Sequence, residues 1–108
     1  RAVQLVPEDG AYLDTLGWVY YKRGEYAHAL EWLQKALTRL PDDATIAEHV
    51  GDALEALNRP REAREYWERS FLLKPDNARL EEKLRRVGAD LPRLRARAET
   101  RRQRSADP

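Results

Sequence analysis

Apolar residues fall along this chain in blocks of helical period, separated by short breaks. Leu13, Leu16, Gly17, Tyr20 and Tyr21 recur at three- and four-residue intervals, which places them on one face of a helix predicted over about 10–23. Asp9 stands before it as an N-cap, with a side-chain oxygen able to accept from the first free backbone N–H groups. Gly24 ends it by taking the left-handed conformation that commonly closes a helix. Tyr26, Ala29, Leu30, Leu33, Ala36, Leu37 and Leu40 then form a continuous stripe. They predict a second helix over about 25–40, which Pro41 stops. So short a break forces the two helices to pack antiparallel as a hairpin. Gly17, Ala29 and Ala36 are its predicted contact points.

The same grammar returns 34 positions along, where Gly17 is matched by Gly51, Ala29 by Ala63, Leu33 by Trp67, Leu16 by Val50 and Pro41 by Pro75. Asp43 caps a third helix with Ile46, Val50, Gly51, Leu54 and Leu57 as its stripe. Asn58 replaces the turn glycine, and Asn is the next most tolerant residue of a left-handed turn. Pro60 suits the first turn of a fourth helix, whose buried face is read as Ala63, Trp67, Ser70, Phe71 and Leu73. Ser70 for Ala36 and Arg64 for Leu30 predict looser packing in this second unit. Asn77 caps a fifth helix over 78–87, apolar only at Leu80, Leu84 and Val87. Arg85 stands where the period asks for a small residue, so this helix is predicted to cap the array, closed by Gly88. Backwards along the period, Pro7 matches Pro41 and Ala2 matches Ala36, so 1–9 reads as the end of a truncated preceding repeat. The organisation is therefore a unit at 10–43, a unit at 44–77, a capping helix at 78–88 and a tail at 89–108. About three repeats are needed to bury a continuous core, so the side around Tyr12 and Leu13 is predicted to be exposed and prone to self-association.

With these residues in place, the chain resembles the tetratricopeptide repeat family, whose unit carries a Trp, Leu-Gly, Tyr, Ala, an aromatic and Pro. Leu16, Gly17, Tyr20, Ala29 and Pro41 match, with Leu13 in the Trp place and Leu33 in the aromatic place. In the second unit Val50, Gly51, Ala63, Trp67 and Pro75 match, while Ala47 and Leu54 depart. The resemblance implies an all-α fold of antiparallel helix-turn-helix repeats, wound as a right-handed superhelix with a C-terminal capping helix. It also implies a concave surface, lined by the first helix of each pair, that takes a peptide or protein partner. The places on that surface are Asp14, Trp18, Tyr21 and Lys22, then Glu48, His49, Asp52 and Glu55, then Arg79, Lys83 and Arg86. Aromatics beside carboxylates would select a basic or amide-rich partner. The competing reading packs Trp18 against the preceding repeat and leaves the acids as a solvated face. Some family members clamp a C-terminal carboxylate with Lys and Asn. Asp14, Trp18 and His49 occupy those places here and tell against that mode. The phrase YLDTLGWVYYKRGEYAHAL is also similar to the C-terminal repeats of bacterial outer-membrane lipoproteins that act as adaptors. That likeness implies the periplasm, with the cytoplasm as the alternative.

Composition adds one rival. The chain has 108 residues, 36% charged and 42% hydrophobic, with no cysteine and no apolar run of membrane-spanning length. Residues 1–88 carry a net charge of −2 and residues 89–108 a net charge of +3. Arg93, Arg95, Arg97, Arg101, Arg102 and Arg104 form a tail suited to phosphates of nucleic acid or an anionic surface. No aromatic accompanies them for base stacking, which tells against nucleic acid. A solvated or loosely helical tail is the favoured reading, although Leu91, Leu94 and Ala98 leave open a fold-back onto the array. His28 and His49 are the only histidines and sit on different helices, so no metal site is expected. There is no glycine-rich phosphate loop, serine-nucleophile motif or paired-acid cleft. The prediction is a non-enzymatic scaffold without a cofactor.

Overall fold

A computed structural model describes residues 9–106. The expected helix exit at Ala2–Pro7 lies outside them. Among the described residues the chain is all-helical: α1 Gly10–Lys22, α2 Tyr26–Arg39, α3 Ala44–Ala56, α4 Pro60–Leu73, α5 Ala78–Arg86 and α6 Leu91–Ala106. The helices α1 and α2 pack as one hairpin, α3 and α4 as the next, and α2 lies against α3 to join them.

The period reappears in the hydrogen bonds that start the first helix of each pair. Asp9 accepts from Ala11 N–H at 2.9 Å, Asp43 from Ile46 N–H at 3.1 Å and Asn77 from Leu80 N–H at 3.1 Å. Each satisfies a donor that the helix leaves unpaired, and losing such a cap costs about 1 kcal/mol. The hairpin turns place Gly24 at φ 80° and Asn58 at φ 64°, as their residue types require. Within the hairpins, a Cβ on Gly17 would lie 2.7 Å from Leu33 Cγ, and one on Gly51 only 2.4 Å from the Trp67 indole. The helices therefore touch backbone to side chain at the same place in both units.

A single core runs through the array. Ala29, Leu33 and Ala36 of α2, Ile46, Val50 and Leu54 of α3, Trp67 and Phe71 of α4, and Leu80 and Leu84 of α5 are all buried. Leu13 belongs to it at 2% exposure, which corrects the expectation that its side would be open. Tyr12, at 45%, does face out. The second unit is not looser where Ser70 replaces Ala36. Its hydroxyl donates to the Ala44 carbonyl at 2.7 Å, tying α4 to the start of α3. Arg64 leaves the core altogether and pairs with Glu68 at 2.9 Å on the exposed face.

The tail is the main correction. It forms the 16-residue helix α6, and Leu91, Leu94 and Ala98 are buried. These three residues occur at helical spacing, and Pro92 falls in the first turn, where a missing N–H costs nothing. α6 leans chiefly on α4 rather than on its neighbour α5. Arg85, exposed and paired with Glu81 and Glu82, occupies the face of α5 that a close-packed partner would need.

Candidate partner-binding face

The first helices of the pairs, α1, α3 and α5, bring together residues that are far apart in sequence, through two junctions built on the same offset. At the α1–α3 junction, His49 Nδ1 lies 2.9 Å from Asp14 Oδ1, and the His49 ring stacks on Trp18 with centroids 4.1 Å apart. Trp18 stacks in turn on Tyr21 at 4.4 Å and an interplanar angle of 5°. The indole is held between an imidazole and a phenol, and all three are half-buried. Burial first, then the negative charge of Asp52, raises the Tyr21 hydroxyl above its usual range. An open cleft of about 410 Å³ borders this stack, lined by Asp14, Thr15, Trp18, Val19, Lys22, Arg23 and His49. Val19 contributes an exposed apolar wall at 47%.

At the α3–α5 junction the equivalent positions, each 34 residues on, are Glu48, Asp52 and Lys83. Lys83 Nζ reaches Glu48 Oε2 at 2.7 Å and Asp52 Oδ1 at 2.8 Å. Asn77 Nδ2 donates to Glu48 at 3.2 Å, and Arg79 Nε approaches the same carboxylate at 3.4 Å. Trp67 Nε1 donates to both the Glu48 carbonyl and Asp52 Oδ1 at 3.2 Å. Glu48 and Asp52 are thus buried at 4% and 8%, not displayed to solvent. Burial pushes the Glu48 carboxyl up, but Lys83 and Arg79 together outweigh it and leave this group below the usual carboxylate range. For Asp52 burial prevails over Lys83 and holds its carboxyl above the usual range. Among the described residues no buried side-chain polar atom lacks a partner, which is the condition under which a buried ionic network is tolerated. Further along, Arg86 grips Glu55 with Nη2 at 2.8 Å from both carboxylate oxygens.

The eleven residues expected on one ligand surface therefore divide. Asp14, Trp18, Lys22 and His49 line the cleft, with Tyr21 stacked on Trp18 but outside the lining, while Glu48, Asp52, Glu55, Arg79, Lys83 and Arg86 engage each other. Sequence reasoning missed Trp67 and Asn77 as members of the ionic junction, and Thr15, Val19 and Arg23 as walls of the cleft. The available signal was the offset itself: an acid at 14 and 48 answers a nitrogen donor at 49 and 83. Among the described residues no group of three His, Asp or Glu side chains converges as a metal site would need. No helix among them is long and apolar enough to cross a membrane.

Comparison with known proteins agrees with this geometry. The family model for the tetratricopeptide repeat matches residues 10–43, which are α1, α2 and the connection to α3. The chain is also similar to the TPR repeat-containing protein PA4667 of Pseudomonas aeruginosa, with 42% identity over 52 residues. That match spans 48% of this chain and 9% of the relative's length. Residues 10–43 thus match a tetratricopeptide repeat, and the caps, turns and glycine contacts of that unit are repeated one period later.

Proposed function

We propose that the chain is a non-catalytic interaction module that takes a peptide or protein partner on the concave side, at the α1–α3 end. Repeats of this family generally mediate protein–protein interaction. The observation that carries the assignment is Trp18, clamped between Tyr21 and His49 beside an open cleft with an apolar wall at Val19. A large aromatic whose rotamer is already fixed gives contact area at little further entropic cost. Asp14 and Lys22 at the rim of the same cleft supply one charge of each sign, so the partner is read as an extended segment with an apolar anchor and polar flanks.

The test is selection of binding sequences from a displayed random-peptide library, followed by titration of the winners. Trp18→Ala should weaken them by about thirtyfold or more, the loss typical of a buried aromatic anchor. Arg64→Ala, on the outer face of α4, should leave them unchanged. Peptides that bind both variants equally would overturn the assignment.

A further inference from the structure

Folding of the tail sorts its six arginines in a way the sequence alone did not. Leu91, Leu94 and Ala98 form the seam of α6 that is buried against the array. On one side of that seam, Arg95 pairs with Glu81 at 2.8 Å and Arg102 lies 3.8 Å from Glu99. On the other side, Arg93, Arg97, Arg101 and Arg104 line a cleft of about 570 Å³ together with Leu72, Ala96 and Thr100. No carboxylate lines that cleft. Among the described residues these four guanidinium groups have no acidic partner, and only Arg101 has a polar contact, 3.4 Å from the Leu72 carbonyl. Like charges three and four residues apart oppose helix formation, so the isolated chain carries this stripe at a cost.

We propose that this cleft is a second docking surface, separate from the concave face, for a helical segment bearing a row of carboxylates. Four arginines at 93, 97, 101 and 104 follow the three- and four-residue spacing of one helix face and span about 16 Å. A partner helix with acidic residues at the same intervals presents its charges at matching separations. The guanidinium fork fits a carboxylate through two parallel hydrogen bonds. Leu72 and Ala96 give the cleft an apolar floor for the aliphatic parts of such a helix. An anionic membrane is a poorer match, because the exposed large hydrophobic residues Tyr12, Val19 and Leu40 all lie in the first unit and none is available near α6 to insert. A nucleic-acid strand is also a poorer match, since the cleft has no aromatic side chain on which a base could stack.

The experiment uses the full chain and a synthetic helical peptide with Glu at four positions of one face. A peptide of the same composition with the four Glu spread around the helix serves as control. The patterned peptide should bind, weaken with added salt, and exceed the spread control. The variant Arg93→Glu/Arg97→Glu should lose about tenfold or more in affinity, while the charge-matched Arg61→Glu/Arg102→Glu should change it less than about threefold. Trp18→Ala should leave it unchanged, which separates this surface from the concave one. Circular dichroism checks that α6 is retained, and Arg93→Gln/Arg97→Gln replaces the reversal if it is not. Equal loss in both charge-reversed variants, or no preference for the patterned peptide, would overturn the proposal. Tighter binding of a single-stranded oligonucleotide or of phosphatidylserine vesicles than of the peptide would overturn it in favour of a phosphate-bearing surface.

Discussion

Two junctions of the same design hold the first helices of this array together, and they differ in what fills them. At α1–α3 an acid, an imidazole and two aromatic rings form a half-exposed stack. At α3–α5 the equivalent places hold two carboxylates on one ammonium, which lies over the fully buried Trp67 ring. Repetition of the backbone therefore does not fix the chemistry of the inner face. The aromatic junction keeps an open cleft beside it, whereas the ionic junction directs its polar groups inward and binds α5 to the array.

The contrast is broken most severely at Lys83. Lys83→Met leaves Glu48 and Asp52 buried without their shared cation and should cost about 3 kcal/mol in denaturant unfolding. His49→Ala, its counterpart one period earlier, removes a ring stack and a partly solvated contact and should cost about 1 kcal/mol. Equal losses would mean that the junctions are energetically alike. Next in size is the hairpin contact. Gly51→Ala drives a methyl into a fully buried indole and should destabilise by about 2 kcal/mol, even after the gain in helix propensity. Gly17→Ala meets Leu33 Cγ at 2.7 Å, a wider approach than the 2.4 Å to the indole, and should lose less, so the ratio of the two losses measures how tight each contact is. In the turns, Gly24→Ala should cost about 1 kcal/mol and Gly24→Asn clearly less, because the second unit already uses Asn at φ 64°. Thermal melts of the two variants decide this.

The smallest effect is on pH dependence, where the two buried carboxyls act in opposite directions. Glu48 titrates lower when folded, so its stabilisation is complete above the ordinary glutamate range and is lost as pH falls through that range toward the depressed value. Asp52 titrates higher when folded, so the native state takes up its proton first. Acidification through that raised value therefore favours folding until the ordinary aspartate range is reached. Glu48→Gln should flatten the first trend and Asp52→Asn the second, in melting temperatures measured from pH 7 downward. The same slope in both variants would show that the pair behaves as one site.

Most of the fold was legible because it rests on periodic signals. Asp9, Asp43 and Asn77 cap three helices in register, and Gly17 and Gly51 mark the close approaches. The site was legible only in part. Position along a first helix says which side a residue faces, but not whether the next helix covers it. Glu48 and Asp52 were expected to be displayed, and the reach of Lys83 from α5 buries them instead. Charge reversal there would test the core rather than a partner surface. The tail was only half legible: six arginines favoured a solvated segment, and the fold-back that Leu91, Leu94 and Ala98 left open is the arrangement the structure adopts, with Pro92 in the first turn of α6.

The length of α5 has a consequence for how units add. It has 9 residues where α1 and α3 have 13, and its closing glycine, Gly88 at φ 76°, comes only 30 positions after Asn58. Four residues are slightly more than one helical turn, so the chain reverses about 6 Å early and at a different angle around the helix axis. That shift of phase delivers α6 into the groove beside α4 instead of into the layer that a regular second helix would occupy. A unit of 34 residues grafted directly after α6 would start out of register with those before it. Restoring four residues to α5 should be the first change needed in any attempt to lengthen the array from this side.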